Sequence, residues 1–230
     1  MLSQRRPILD GWRRGILATM RLEPLGERAY LMSDLPAAAP LVARALEAAA
    51  LEGVLEIVPS YETVGLYVDP DRFHPDAVPE TYPGLESTAS GTLHVIPACY
   101  ELGEDLPAAA EALGLTSGEV AALHAGSVYL CAAIGFCPGF PYLGPLPDEL
   151  SGLGRHADPR TRVPRGSVAI TGRQTGIYTL ERPGGWWLIG RTPLELVHVE
   201  DAYFPIAPGD SVRFEPIGAA EYENLLGRRL

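Results

Sequence analysis

The sequence predicts a β-rich α+β protein, with a small N-terminal α/β sandwich followed by a barrel of short strands. Three observations predict it. The 25 glycines and 22 prolines are spread along 230 residues, which breaks the chain into many short elements. A single amphipathic helical pattern near the N-terminus lies between β-prone runs. From Ser127 onward only short β-prone runs recur, each bounded by turn residues.

In order, Glu27 to Met32 reads as a strand, and Ser33 or Asp34 followed by Pro36 reads as a helix start. Leu41, Val42, Ala45, Leu46 and Ala49 share one helical face, and Gly53 is the expected left-handed cap. Strands are expected at Val54 to Val58 and Thr63 to Val68, with a turn at Pro59 and Ser60, and residues 69–91 read as a poor helix and linker. A strand at Thr92 to Ile96 and an alanine-rich helix at Pro107 to Leu113 follow. Thr116 and Glu119 then have capping-box spacing. Barrel strands are expected at Val128 to Ile134, Ser167 to Thr171, Gly176 to Leu180, Trp186 to Ile189, Leu194 to Val199 and Ser211 to Phe214. The implied division is an extension over residues 1–20, an N-terminal domain over 21–90 and the barrel over 91–230. Arg5, Arg6, Arg13 and Arg14 set the extension apart as a loose tail, or as residues upstream of a start at Met20.

The formal charge of -11 argues against nucleic acid, which is held by clustered cations. All 18 basic residues are arginine. Without lysine the chain cannot form a P-loop, a kinase lysine site, a pyridoxal Schiff base or a Ser-Lys nucleophile pair. Cys99, Cys131 and Cys137 show no metal-site or disulfide spacing and read as small buried hydrophobes. The histidines show no metal pair. No run is long enough to span a bilayer as a helix, so the expectation is a cytoplasmic chain without membrane contact.

Several segments carry possible chemistry. Residues 135–144 pack glycine, proline and aromatics into a shaped loop, in which Phe136, Gly139, Phe140 and Tyr142 would wall a ligand and backbone N–H groups would meet an oxyanion. A purely structural turn is the alternative. Arg160 and Arg162, with Arg165, suggest a held anion, against the alternative of a solvated loop. Gln174 and Thr175 offer donors and acceptors on a tight turn, Arg191 ends a strand, and Ser167 is a hydrogen-bonding candidate. His124, after a helix, is the candidate for proton transfer, with a buried structural role as the alternative. The turn-like segments among these, those of Phe140, Arg162, Gln174 and Arg191, are expected to converge at one mouth of the barrel.

Taken together, IGFCPGFPYL at 134–143, PRTRVPRGSV at 159–168, QTGIY at 174–178, PGGW at 183–186 and GRTP at 190–193 resemble the 5-oxoprolinase B-subunit family. That family is also called KipI-like or allophanate hydrolase subunit 1, and is similar to one lobe of the carboxyltransferase domain of urea carboxylase. VPSY at 58–61 and PACY at 97–100 match more weakly, and the likeness runs from about Arg21 to Ile217. It implies a cyclophilin-like β-barrel and a complex with a homologous C subunit plus an A subunit. It further implies ATP-dependent opening of a small carboxylated amide, the pyroglutamate lactam, with ATP held by the complex and Tyr178 joining the substrate-binding residues. It leaves two other functions open, a KipI-like inhibitor of a sensor histidine kinase and a urea- or allophanate-binding module. Arg165 and Cys137 both stand where alanine is usual in the family.

Overall fold

The computed structural model describes residues 20–79 and 91–230, so the N-terminal extension and much of the expected linker lie outside it. Within the first segment run β1 (Arg21–Pro24), β2 (Ala29–Ser33), α1 (Ala39–Ala49), β3 (Val54–Ser60) and β4 (Thr63–Val68). The four strands form one antiparallel sheet in the order β1-β2-β4-β3. Helix α1 starts at Ala39 after the N-cap Ala38, not at Ser33 or Asp34, and it is Pro40 rather than Pro36 that sits in its first turn, where a missing N–H would be unpaired anyway. It lays Val42, Ala43 and Leu46 on Met32, Val64 and Leu66.

Two further local expectations shift here. Ala50, not Gly53, takes the left-handed position that ends α1. Gly53 is required for a different reason: a Cβ there would lie 2.5 Å from the Phe73 backbone nitrogen. The turn expected at Pro59 and Ser60 comes one step later, where Tyr61 adopts φ 54° at the tip of the β3–β4 hairpin.

The second segment holds β5 (Leu93–Ala98), α2 (Leu106–Leu113), α3 (Ser117–Ala125), β6 (Val128–Ile134), β7 (Pro141–Gly144), β8 (Arg160–Val163), β9 (Ser167–Thr171), β10 (Gln174–Ile177), β11 (Arg182–Gly184), β12 (Trp187–Arg191), β13 (Ser211–Pro216) and α4 (Ala219–Leu225). Seven strands form a barrel-like sheet in the order β12-β9-β10-β7-β6-β13-β5, and β8 and β11 form a separate ribbon. The two edges meet: Cys99, just past β5, and Arg191, at the end of β12, exchange backbone hydrogen bonds of 2.8 and 2.9 Å. That seam closes the ring and blunts both edges.

Closure also explains a strand that does not form. The run Leu194 to Val199 makes only single bridges, Glu195 to Arg229 and His198 to Tyr203, because β5 and β12 already pair at the seam. Conversely, Pro141 to Gly144 is a strand where only a loop is expected; Pro141 is tolerated as its first residue, where a missing donor does least harm. Strand β10 starts at Gln174 rather than Gly176, because Gly172 and Arg173 turn tightly out of β9.

Side chains alternate across the barrel wall. Leu143, Val168, Ile170, Ile177 and Ile189 point into the main core. Their neighbours Tyr142, Ala169, Tyr178 and Leu188 point outward, into a second cluster with Phe140, Val163 and Trp186.

Candidate functional site

The expected site residues separate into three places, so the single barrel mouth is not what forms. His124 and Thr175 lie in the barrel interior, both 0% exposed. Tyr100 O–H reaches His124 Nδ1 at 2.7 Å, and His124 Nε2 lies 2.8 Å from Thr175 Oγ1. Because Thr175 donates its own proton to the Ala169 carbonyl at 3.1 Å, Nε2 carries the imidazole proton and Nδ1 accepts. Burial lowers the His124 pKa from 6.5 to about 3, so the ring is neutral. Helix α3 turns this residue inward onto Tyr129 and Phe214, where no ligand reaches it. The proton-transfer role expected of His124 has no route to a substrate in this arrangement.

The arginine run is bound internally. Arg160 pairs with the buried Asp105 at 2.5 Å, and Asp105 also accepts from the Leu188 N–H. Arg162 pairs with Glu181 at 2.6 Å on the surface, and Arg165 with Glu195 at 3.4 Å. Arg191 donates from Nε to the Arg165 carbonyl, and Ser167 donates to the Pro164 carbonyl. Ser167 and Arg191 line a cleft of about 330 Å³ beside the seam, together with Glu101, Glu104 and Leu188.

The remaining residues meet on the outer face of the barrel wall. Phe140 packs edge-on against Tyr142, Tyr178 and Trp186 with ring centroids 5.0 to 5.5 Å apart, and Phe136 covers Phe140 at 5.4 Å while staying 57% exposed. Glycine makes this packing possible. A Cβ on Gly176 would lie 2.9 Å from the Phe140 ring, one on Gly184 2.1 Å from the Tyr178 hydroxyl, and Gly139 has φ +69° against Val197. The loop's expected oxyanion donors are partly engaged within it, since the N–H groups of Gly135, Cys137 and Phe140 all bond inside the loop.

Two residues on this face are not expected from the sequence. Tyr61, from the β3–β4 hairpin, sits edge-on to Tyr142 at 6.1 Å, and its hydroxyl accepts a 2.6 Å hydrogen bond from Gln174 Nε2. Its backbone N–H also bonds the Ala132 carbonyl of β6, so the first sheet supplies a wall to a face built on the second. Nothing local marks Tyr61, because its partner lies 113 positions away. Arg155 is the other. Its flanks are tied down, with Gly154 accepting from Trp187 Nε1 and the His156 N–H bonded to the Gly185 carbonyl, both at 2.8 Å. Burial raises the phenol pKa values of Tyr61, Tyr142 and Tyr178, and the Arg155 charge opposes that rise at all three.

Phe140, Tyr178 and Trp186 are themselves buried in this cluster, so the groups it leaves accessible are Phe136, Tyr61, part of Tyr142, Gln174 and Arg155. Among the described residues it has no histidine or accessible thiol, since Cys137 is buried beside Thr179. The fold is a barrel-like sheet joined at its seam by one bridge, with an aromatic cluster on its outer wall. The chain belongs to the carboxyltransferase domain, subdomain C and D family, which matches residues 20–204.

The chain is 50% identical over 115 residues to the B subunit of 5-oxoprolinase from Escherichia coli O157:H7, an alignment covering 50% of this chain and 52% of that protein. It spans about half the length of the curated relatives it matches. The crystal structure of TTHA0988 superposes with a TM-score of 0.72 at 35% identity, covering 83% of this chain and 40% of that one. Kluyveromyces lactis urea carboxylase shares the fold at 19% identity and a TM-score of 0.62, over 89% of this chain and 22% of that one. No helix among the described residues is long and apolar enough to cross a membrane.

Proposed function

We propose that this chain is the B subunit of a cytoplasmic, ATP-dependent 5-oxoprolinase that opens pyroglutamate to glutamate and works only with a homologous C subunit plus an A subunit. The observation that carries the proposal is the match of half the chain, at 50% identity, to a protein named as the B subunit of 5-oxoprolinase. The family match over residues 20–204 supports it as well.

The chain's part is to bind and orient. Holding the lactam in one geometry converts a bimolecular attack into a nearly unimolecular one, a contribution a module without its own base can make. The sequence has no lysine for a P-loop, and Arg160, Arg162, Arg165 and Arg173 each face a carboxylate, which supports ATP being held by the assembled complex.

The test is ATP hydrolysis by the purified chain, alone and mixed with its A and C partners, with and without pyroglutamate. Lactam-dependent turnover is expected only from the full mixture. Its absence from every combination of folded proteins overturns the proposal, and tight binding to a sensor histidine-kinase dimer without turnover would then identify a KipI-like inhibitor.

A further inference from the structure

The cleft of about 330 Å³ beside the seam brings opposite charges together without pairing them. It takes Glu101, Leu102 and Glu104 from the turn after β5, Pro164 from the turn after β8 and Arg191 from the end of β12. Its walls are fixed by main chain. Cys99 and Arg191 exchange two backbone hydrogen bonds, and Ser167 donates to the Pro164 carbonyl at 2.8 Å. A Cβ on Gly103 would overlap the Ile189 carbonyl, and one on Gly166, at φ +82°, the Thr192 carbonyl, so only glycine lets these turns lie so close to β12. Three of the segments that stand out in the sequence, PACY at 97–100, PRTRVPRGSV at 159–168 and GRTP at 190–193, meet at this one place.

Half-buried Arg191 donates from Nε to the Arg165 carbonyl, which orients the guanidinium and leaves its terminal nitrogens without an acceptor among the described residues. Glu101 is exposed and has no hydrogen bond or ion pair among the described residues, while Glu104 reaches only Arg160 Nε, at 3.7 Å. Arg191 lies within 4.0 Å of neither carboxylate, although all three line the same cleft. An inorganic anion would suit Arg191 but face two carboxylates, and a simple amine would suit the carboxylates but face the guanidinium. A small molecule carrying both charges answers both. Beside them Leu102, 40% exposed, and Pro164 offer an apolar wall.

We propose that this cleft binds a free α-amino acid with an apolar side chain, its carboxylate on the Arg191 guanidinium, its ammonium at Glu101 and Glu104, and its side chain against Leu102 and Pro164. The volume is at the small end of ligand clefts and suits one such molecule. The assignment is independent of the function proposed above. A lactam nitrogen carries no charge, so pyroglutamate lacks the group that Glu101 would hold, and an acidic side chain would bring a second carboxylate toward Glu104.

Titration of the purified full chain with L-leucine, followed by ligand-observed saturation-transfer NMR, tests it. N-acetyl-L-leucine, which lacks the ammonium, and L-leucinamide, which lacks the carboxylate, should each bind about 10-fold more weakly or worse, as loss of a charge-assisted pair should. Glu101→Gln should weaken L-leucine by a similar factor while leaving the already weak N-acetyl-L-leucine unchanged, and Arg191→Gln should do the same with L-leucinamide as the unaffected ligand. Glu101 is exposed and unpaired, so its variant should keep the wild-type urea midpoint and remain a fair test even if Arg191→Gln destabilises the seam. No saturation transfer from the wild-type chain to L-leucine overturns the assignment. So does equal L-leucine affinity in wild type and Glu101→Gln, or L-glutamate binding more tightly than L-leucine. Lactam-dependent turnover by the full mixture of subunits bears on the 5-oxoprolinase function alone, so either proposal can fail while the other stands.

Discussion

Strand β10 presents different chemistry on its two sides. Thr175 points into the barrel, where it completes a closed hydrogen-bond chain from Tyr100 through His124 to the Ala169 carbonyl. Gln174 and Gly176 point out, where one reaches Tyr61 and the other makes room for Phe140. Every polar atom of the inner chain has its partner and no access to solvent; the outer face keeps donors and acceptors unmatched at an exposed rim. Satisfied polar groups inside a core hold a fold together, and unmatched ones at a surface are available to a ligand. The inner side of β10 should therefore govern stability and the outer side ligand binding.

The sharpest way to break this comparison is at His124. Replacing it with alanine leaves a cavity and strands the Tyr100 hydroxyl, so His124→Ala should cost about 3–5 kcal/mol of stability by urea unfolding. A proton-carrying His124 would instead leave stability intact and remove one limb of the pH–rate profile of the assembled enzyme. Acid should reveal the same residue. With its pKa lowered from 6.5 to about 3 in the fold, His124 takes up a proton in the unfolded chain first. Stability is then full above pH 6.5 and falls by about 1.4 kcal/mol per pH unit below it, until the folded state also protonates. An acid titration of His124→Phe should lack that component.

Arg160 tests the comparison from the other direction, since it looks like a ligand-binding arginine in sequence yet neutralises a buried carboxylate. Arg160→Ala leaves Asp105 with its Leu188 N–H and the His156 ring at 3.5 Å but without its guanidinium, and should cost about 2 kcal/mol in urea unfolding. Gly184→Ala probes the floor of the outer face. The added methyl would lie 2.1 Å from the Tyr178 hydroxyl, and the overpacking should cost about 1–3 kcal/mol while altering the near-UV dichroism of the aromatic cluster.

How much of this is legible in the sequence follows from how local each signal is. Thr63 to Val68, Val128 to Ile134 and Ser167 to Thr171 form strands over the expected ranges, because unbroken β-prone runs declare themselves. The Thr116 and Glu119 capping box forms as expected, since both partners lie within one turn. The three- and four-residue strands β7, β8 and β11 do not show, because prolines and short length hide them until distant partners fix them. Helix α4 is not expected from the sequence either. In the site, the aromatic loop is visible as composition, but the direction of His124 is not. The tight arginine run draws attention because charge density is easy to read, while its partners Asp105, Glu181 and Glu195 are known only after folding. Arg155 stands alone in sequence, and its lack of a partner is a property of the fold.

The smallest expected effect separates a charge from a site. Arg162 is 75% exposed and pairs with Glu181, so the pair is screened by solvent and holds two mobile side chains. Arg162→Ala should change stability by no more than about 0.5 kcal/mol in urea unfolding and leave lactam-dependent turnover unchanged in the full mixture. If turnover instead falls 10-fold with stability intact, the β8–β11 ribbon touches the substrate in the assembled enzyme. The outer face would then extend past Val163 to include the ribbon, and the division between an inner side for stability and an outer side for binding would have to be redrawn around Arg162.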